Sequence, residues 1–474
     1  MQTGVTKLSV KEKVGYGLGD SAANFIFQTM IILQLSFYTD TFGITAAAAG
    51  TLLLVARLWD AITDPVIGIL ADRTNTRWGK FRPWIIFTAV PFGLFAYLTF
   101  STPDFDYNGK LVYAYVTYMI FMFIYSANNL PYSALSGVMT GNMAERTSLS
   151  SYRFIFAISA SFIVQVFALP LVAVFGQGDD ATGFRLTIGM FGLLAIVFFT
   201  ITFFSTKERI QPDPEQKTNI KQDLKDLTRN LPWLIMFVVT LLVFINLSMR
   251  GSVLLYYFRH YLDPHYIANV VTGLGLTGLF PNLDPITLGF SVFNGAGQAA
   301  TIIGILFSKS LAVRFGKRNV FMGGMATAAI LLVFFGTLPP NAFAVAAITQ
   351  IIMSFAWGTT VPLLWAMMAD VADYSEWKNY RRATGVVFSA IVFGLKAGLG
   401  FGGALAGYLL AFYGYQANVV QTPEAINGIR LTTSIYPALC FFIAVGLLFF
   451  YKIDKKMEYT IEQELAERRK KMDD

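Results

Sequence analysis

The chain has 474 residues, of which 55% are hydrophobic, 15% aromatic and only 14% charged, with a mean hydropathy of +0.55. A soluble core of that size cannot hide so much apolar surface, whereas lipid solvates it directly, so the composition excludes an ordinary soluble enzyme and assigns a polytopic membrane protein. The net charge of +7 points to topology rather than to a nucleic-acid partner, and one cysteine, Cys440, leaves no disulfide framework or thiolate metal site.

The N-terminal MQTGVTKLSVKEKVGYG puts basic residues ahead of a long apolar run with no small-residue cleavage site after it. It reads as the start of a first membrane helix, not as a removed signal peptide. Apolar runs long enough to span follow near 16–38, 45–71, 83–101, 111–139, 149–175 and 183–205. A second set lies near 232–258, 286–308, 319–338, 342–369, 383–412 and 430–451.

The second run contains RLWDAITDP. Arg57, Asp60 and Asp64 are spaced by three and four residues, which places them on one helical face. A charge at helix centre costs about 2.5–3.5 kcal/mol on insertion scales, so that face must turn toward protein or a water-filled cavity. Two carboxylates one turn apart repel when both are ionised, so either one holds a proton or a cation lies between them. Thr63 adds a neighbouring hydroxyl, and Ser126 in IYSANNLPYSAL of the fourth run offers another. An oxygen-only set suits Na⁺ or Li⁺, and a single protonated carboxylate suits H⁺. The plainer reading has the two acids merely neutralise Arg57, Arg153 or Lys396.

RWGKFRPW after the second run is echoed by RFGKRNVF after the eighth, with Arg77 and Arg314 half a chain apart. LPYSAL and VPLLWA, around Pro131 and Pro362, form a second echo. The pattern predicts two parallel six-helix repeats. Gly79 and Gly316 permit tight turns, and the flanking cations, Arg77 and Lys80 among them, can pair with acidic helix ends such as Asp370 and Asp373 to latch the inner face.

Between the two sets runs ERIQPDPEQKTNIKQDLKDLTRN, which reads as a linker with a short amphipathic helix from Ile220 to Leu227. The predicted domains are therefore 1–205, a linker 206–231, 232–452 and a tail 453–474. Placing both termini in the cytoplasm leaves only Lys110, Arg185, Arg259 and Arg430 outside, with Arg57, Arg153, Arg250 and Lys396 at membrane depth. Lys396 in FGLKAGLGFGG needs a counter-ion from another helix, for which the aspartates of the second span are the obvious candidates. The Gly- and Pro-rich stretch 261–290 reads as an ordered external loop or re-entrant cap, and His260 and His265 make no metal site. The tail YKIDKKMEYTIEQELAERRKKMDD reads as a surface helix. Twelve spans in two repeats, with that repeated loop, make an all-α membrane protein that resembles the major facilitator superfamily, a likeness that implies solute transport by alternating access and leaves the solute open.

KVGYGLGD, YTDTFG, RLWDAITDP, RWGKFRPW, NNLPYSAL, ADVADYSEWK and Lys396 together resemble the glycoside-pentoside-hexuronide:cation symporter family, the melibiose permease group, from about Leu8 to Lys452. The likeness is greater to presumed xyloside permeases than to melibiose permease itself. It implies a cation site of Asp60, Thr63, Asp64 and Ser126, with Asp64 most tied to coupling, Lys396 nearby and Arg153 lining the sugar cavity. Two family aspartates and a tryptophan that grip a galactosyl ring are replaced here by Asn24, Asn129 and Ser133. Asparagine still donates and accepts, so a sugar site survives while melibiose itself is put in doubt. Thr63 stands where the family has asparagine, which weakens the Na⁺ set and leaves H⁺ open. Arg250 can meet a uronate carboxylate or, in the plainer reading, an intramembrane acid or helix end. Tyr125, Tyr132, Tyr152 and Trp365 can stack on sugar faces.

The expected function is symport of a glycoside or pentoside, such as a xyloside, with H⁺ or Na⁺ across the inner membrane by a monomer. A hexuronide or glucuronide symporter is the alternative, and a sugar sensor or lipid flippase of the same fold the more distant rivals. Expected partners are a small sugar, a monovalent cation and the lipid bilayer. No cofactor and no enzymatic chemistry are expected, because no nucleophile, phosphate-loop or metal motif is present.

Overall fold

The structure, a computed structural model, describes residues 7–140, 143–209, 230–379 and 384–473. These residues are helical apart from turns and one isolated bridge, Thr76 to Gly79, and no strand occurs among them. The helices are α1 (Val10–Ser36), α2 (Ala46–Arg73), α3 (Arg82–Thr99), α4 (Tyr107–Met139), α5 (Met143–Gly176) and α6 (Asp180–Ser205), then α7 (Leu231–Tyr256), α8 (Pro264–Gly273), α9 (Leu276–Leu279), α10 (Pro285–Phe315) and α11 (Lys317–Thr337). They continue with α12 (Phe343–Asn379), α13 (Thr384–Phe412), α14 (Pro423–Thr433), α15 (Ile435–Leu448) and α16 (Lys455–Asp473). The amphipathic helix expected at 220–227 lies outside the described residues.

Local chemistry sets the boundaries. Ser9 and Glu12 form a reciprocal capping box at the start of α1, and Thr45, Asp106, Asp179, Asn230 and Thr422 each cap the next helix with a side-chain oxygen. Among the described residues, nine helices are long and apolar enough to cross a membrane. Helices α1, α2 and α3, on which three further spans are expected, are not among the nine. The first two carry Asp20, Asn24, Arg57, Asp60 and Asp64, and the third, 18 residues long, includes Arg82 and two prolines. The stretch 261–290 folds into the short helices α8 and α9, joined through Gly275 at φ +74°.

The described chain divides into two compact units. The first comprises Met1–Gln216 with Val271–Gly295 and Tyr415–Val420, the second Lys217–Val270, Ala296–Gly414 and Gln421–Asp474. Within the first, α1 packs on α5 and α6, α3 on α4 and α6, and α2 on α4. Gly93 and Gly192 let α3 and α6 touch through backbone, since a Cβ on Gly93 would stand 2.7 Å from the Gly192 carbonyl oxygen. Within the second, α7 packs on α13 and α15, and α11 on α12 and α15, around a core that includes Met325, Met367, Met368 and Phe441.

Internal correspondence goes further than the loop motifs. Both α1 and α7 end in a five-residue π-helical turn, Phe37–Thr41 and Tyr257–Tyr261. Pro131 and Pro362 each sit inside a helix, α4 and α12. The π-turns have no signature in the sequence periodicity.

Candidate functional site

Helix α2 is two-faced. Ala56, Asp60, Thr63, Ile67 and Ala71 are buried along one stripe, while Leu58, Ile62, Val66, Ile69 and Leu70 are about half exposed on the other. Asp60 is only 1% exposed and accepts from Arg57 Nη1 at 3.3 Å. The Thr63 hydroxyl donates to the Trp59 carbonyl at 3.0 Å, leaving its lone pairs to face outward from the helix. Asp64 follows one turn after Asp60, half-buried. Ser126 on α4, the helix packed against α2, is 1% exposed, and its Oγ has no hydrogen-bond partner among the described residues. Arg57, Asp60, Thr63 and Asp64 thus lie within two turns of α2, and Ser126 lies on the helix packed against it. Among the described residues no three His, Cys, Asp or Glu side chains gather as a metal site would require.

A second polar cluster joins α1, α4 and α5. Arg153 Nε donates to Asp20 Oδ2 at 2.8 Å, so its partner is Asp20 and not the acids of α2. The Asn24 amide donates to the Asp20 carbonyl at 2.9 Å and reaches Asp20 Oδ1 at 3.4 Å. Both Asn24 contacts use its Nδ2 as donor. Tyr132 does not offer a free face: it stacks on Tyr16 at 4.6 Å and 13°, and each hydroxyl donates to the other residue's carbonyl. The Arg153 guanidinium lies 5.7 Å from the Tyr132 ring.

The glycines of KVGYGLGD explain the closeness of α1 to its neighbours. A Cβ on Gly17 would fall 2.5 Å from the Phe156 ring on α5, and one on Gly19 would fall 2.5 Å from the Tyr132 ring.

Tyr125 connects the clusters. Its ring meets Phe27 at 6.0 Å, and its hydroxyl lies within electrostatic reach of Asp20, Arg57, Asp60 and Arg153. Of the paired asparagines, Asn128 is buried and donates to Thr88 Oγ1 at 2.8 Å, a scaffold bond between α3 and α4. Asn129 is half-buried, one turn beyond Tyr125.

In the second unit, Lys396 is half-buried on α13, and Trp365 is 36% exposed on α12. Arg250 on α7 donates from Nη2 to Gln350 Oε1 at 2.7 Å, a neutral partner where the plainer sequence reading has an acid or a helix end.

The two R-x-G-K loops are held differently. Gly79 has φ +110°, and the Glu208 carboxylate accepts the backbone N–H groups of Lys80, Phe81 and Arg82 at 2.8–2.9 Å. Arg77 and Lys80 lie over the neighbouring Trp78 and Phe81 rings, so the acid binds backbone rather than the cationic heads. Gly316 has φ +85°, and here the cation itself is used: Lys317 Nζ meets Asp370 at 2.5 Å and Glu458 of α16 at 3.5 Å. Burial pushes the Glu458 carboxyl above its ordinary range, with Lys317 opposing and Asp370 adding to the rise. The arginine after each motif ties back to a helix end, Arg82 to the Phe203 carbonyl and Arg318 to those of Leu448 and Phe449. Asp373 lies three residues past Asp370 on α12.

Asp20, Glu208 and Gln350 escape the sequence reading. Asp20 has a signal, an acid in an apolar run one turn before Asn24, whereas a polar residue just past a helix end and a lone glutamine in ITQIIMSF have none.

Comparison with known proteins shows that the family described as MFS/sugar transport protein matches residues 15–455. Inner membrane symporter YicJ of Escherichia coli K12 is 36% identical over 97% of this chain and 95% of its own length. The isoprimeverose transporter of Lactiplantibacillus pentosus is 36% identical over 98% and 93%, and the glucuronide carrier protein homolog of E. coli K12 is 33% identical over 98% and 97%. Among solved structures, the nucleoside transporter NupG is similar with a TM-score of 0.63 at 13% identity, covering 92% of this chain and 98% of that one, a likeness of fold alone.

Proposed function

The chain belongs to the MFS/sugar transport family, within the glycoside-pentoside-hexuronide:cation symporters, and on that premise we propose that it takes up a glycoside or pentoside by symport with H⁺ or Na⁺. The single observation that carries the reading is the burial of Asp60, at 1% exposure, beside Arg57 and inside a helix whose opposite face is apolar. Structural stabilisation does not call for a carboxylate there, because apolar packing is cheaper than a buried ion pair.

In this reading Asp60, Thr63, Asp64 and Ser126 hold the cation, with Arg57 and Lys396 setting the charge balance. Asn24, Tyr125, Asn129 and Arg153 hold the sugar, and Arg77, Gly79, Lys80, Asp370 and Asp373 belong to an inner-face gate. The chain crosses the inner membrane twelve times with both termini in the cytoplasm. Two six-helix halves, 1–205 and 232–452, flank a linker at 206–231, and 453–474 forms a cytoplasmic tail. It works as a monomer and binds no cofactor.

Coupling follows from charge. A cation that neutralises the α2 acids favours the state competent for sugar, and by linkage the sugar favours cation binding to the same extent. Tyr125, in electrostatic reach of both the Arg57–Asp60 and Asp20–Arg153 pairs, supports communication between the two clusters. A xyloside fits the neutral hydrogen-bonding set of Asn24 and Asn129, and the relative named for isoprimeverose supports that class. Counterflow of a labelled xyloside into proteoliposomes tests the proposal. Absence of flux with any glycoside, under both a proton and a sodium gradient, overturns it.

A further inference from the structure

The YTDTFG motif at the end of α1 carries an acid that neither the cation cluster nor the sugar cluster uses. Asp40 stands in the π-helical turn Phe37–Thr41, which closes as the Phe42 N–H donates to the Phe37 carbonyl at 2.8 Å. Aromatic packing fixes this turn. Phe37 lies 4.9 Å from the Phe100 ring and 5.3 Å from that of Phe184, Tyr38 lies 6.5 Å from Tyr118, and Phe37, Tyr38 and Phe42 are all buried. The Asp40 carboxylate accepts from the Thr39 hydroxyl at 2.7 Å and from the Ser36 hydroxyl at 3.3 Å. Two further donors come from far along the chain, between α13 and α14. The Tyr415 hydroxyl donates to Asp40 Oδ1 at 2.6 Å, and Asn418 Nδ2 donates to the Asp40 carbonyl at 2.8 Å.

Residues 415–420 belong to the first unit, although α13 before them and α14 after them belong to the second. The repeat shows that the fold does not impose this reach. The equivalent turn at the end of α7 is tied within its own half, where the Tyr261 hydroxyl donates to the Leu338 carbonyl at 2.5 Å and the Asp263 N–H to that of Pro340 at 3.0 Å. The two sides of the Asp40 contact are also held differently. Asp40 rides on the ring-packed turn, whereas the chain from Tyr413 to Thr422 is irregular, with φ +78° at Gly414 and +59° at Asn418, and Val420 is 98% exposed. Hydroxyl and amide bonds at a half-buried carboxylate exchange for water at small net cost, so this contact can break and re-form while the apolar packing beneath it stays.

We propose that Tyr415 and Asn418 form a strap over Asp40 that holds the outer face closed, and that release of this strap is a step of every transport cycle. The inference goes beyond the symport reading but rests on its alternating access and on its topology, which puts the α1–α2 and α13–α14 connections outside. With the strap closed, the chain joining α13 to α14 is fixed to the end of α1. With it open, Asp40 keeps the Ser36 and Thr39 hydroxyls as donors, and Tyr415 and Asn418 turn to water. The carboxylate is satisfied in both states, and the strap's bonds bias the balance toward the closed one.

The test uses the full chain with Cys440→Ser as background. In nanodiscs, spin labels on Asp104→Cys, in the loop between α3 and α4, and on Val420→Cys, both at exposed positions, report the strap by their distance distribution. Tyr415→Phe, which removes one hydrogen bond, raises the ratio of the longer to the shorter distance about 3- to 10-fold, and Asp40→Ala raises it at least as far. Size-exclusion profiles report folding, and should Asp40→Ala not fold, Tyr415→Phe decides. A lock supplies the second readout. Asp40→Cys with Tyr415→Cys, bridged by a short bifunctional methanethiosulfonate, loses sugar counterflow in proteoliposomes and regains it on reduction, whereas a monofunctional reagent leaves counterflow running. An unchanged distance distribution, or full counterflow by the bridged protein, marks a contact that transport never opens and overturns the strap while the symport reading stands. Absence of counterflow with any glycoside in wild type overturns the symport reading, and the distance distributions then decide the strap alone.

Discussion

Replacing Asp20 by alanine removes the carboxylate that accepts from both Arg153 and Asn24, two residues assigned to the sugar. Breaking a fully buried ion pair costs about 3–5 kcal/mol, and an exposed one about 0–1 kcal/mol. Here the Asp20 side chain is 10% exposed and that of Arg153 33%, so the pair lies between these limits, at about 2–3 kcal/mol. The Asn24 contact at 3.4 Å is long and adds little. A double-mutant cycle of Asp20→Ala and Arg153→Ala, read as sugar dissociation constants of the purified protein, isolates the pairwise part. The expected coupling is about 1.5–2.5 kcal/mol, or roughly 10- to 70-fold in affinity. Asp20→Asn, which keeps an acceptor for Nε but loses the charge, falls between wild type and Asp20→Ala. Additivity of the two single substitutions within about 0.5 kcal/mol would refute the role of Asp20 in positioning Arg153.

Glu208→Gln loses the carboxylate that caps α3 through three backbone N–H groups, and is expected to lower stability by about 1–2 kcal/mol, read as the thermal midpoint in detergent. Gly79→Ala combines a φ of +110° with a Cβ 2.5 Å from the Glu208 carboxyl carbon and is expected to open the loop at Thr74–Phe81 to limited proteolysis. Glu12 is pushed up by burial, but the Arg209 hydrogen bond at 2.6 Å and the Ser9 N–H outweigh this and hold it below its ordinary value of 4.5. Its contribution to stability is therefore complete above pH 4.5 and is lost as pH falls through the lower folded value. Thermal midpoints of wild type and Glu12→Gln should converge on acidification below about pH 4.5. Leu465→Lys forces a charge into the face of α16 where Ile461 and Leu465 are 4–5% exposed, and should cost about 2–3 kcal/mol and release the Trp377–Glu464 bond, seen as a change in tryptophan fluorescence.

Much of this was legible in the sequence, because charges inside apolar runs are expensive and so carry information. The spacing of Arg57, Asp60 and Asp64 alone predicts their shared face, and the structure adds that Arg57 is paired with Asp60. The repeated loop predicts turns at Gly79 and Gly316, and both have positive φ. What the spacing could not give is partner choice between helices. Arg153 meets Asp20 on α1, Arg250 meets Gln350 on α12, and the loop after α2 is held by Glu208 through its backbone. Those pairings depend on which helices pack together, and periodicity within one helix is blind to them. Tyr132 makes the same point: its aromatic character allows sugar stacking, but its ring is taken by Tyr16 from another helix.

The central claim is that the acids of α2 couple a cation to sugar movement. Sugar counterflow and gradient-driven accumulation, measured side by side in proteoliposomes for wild type and Asp64→Cys, test it most directly. Counterflow needs only alternating access, whereas accumulation needs a coupling ion. The account predicts that Asp64→Cys retains counterflow and loses accumulation under both sodium and proton gradients. Accumulation at the wild-type level by Asp64→Cys would contradict it.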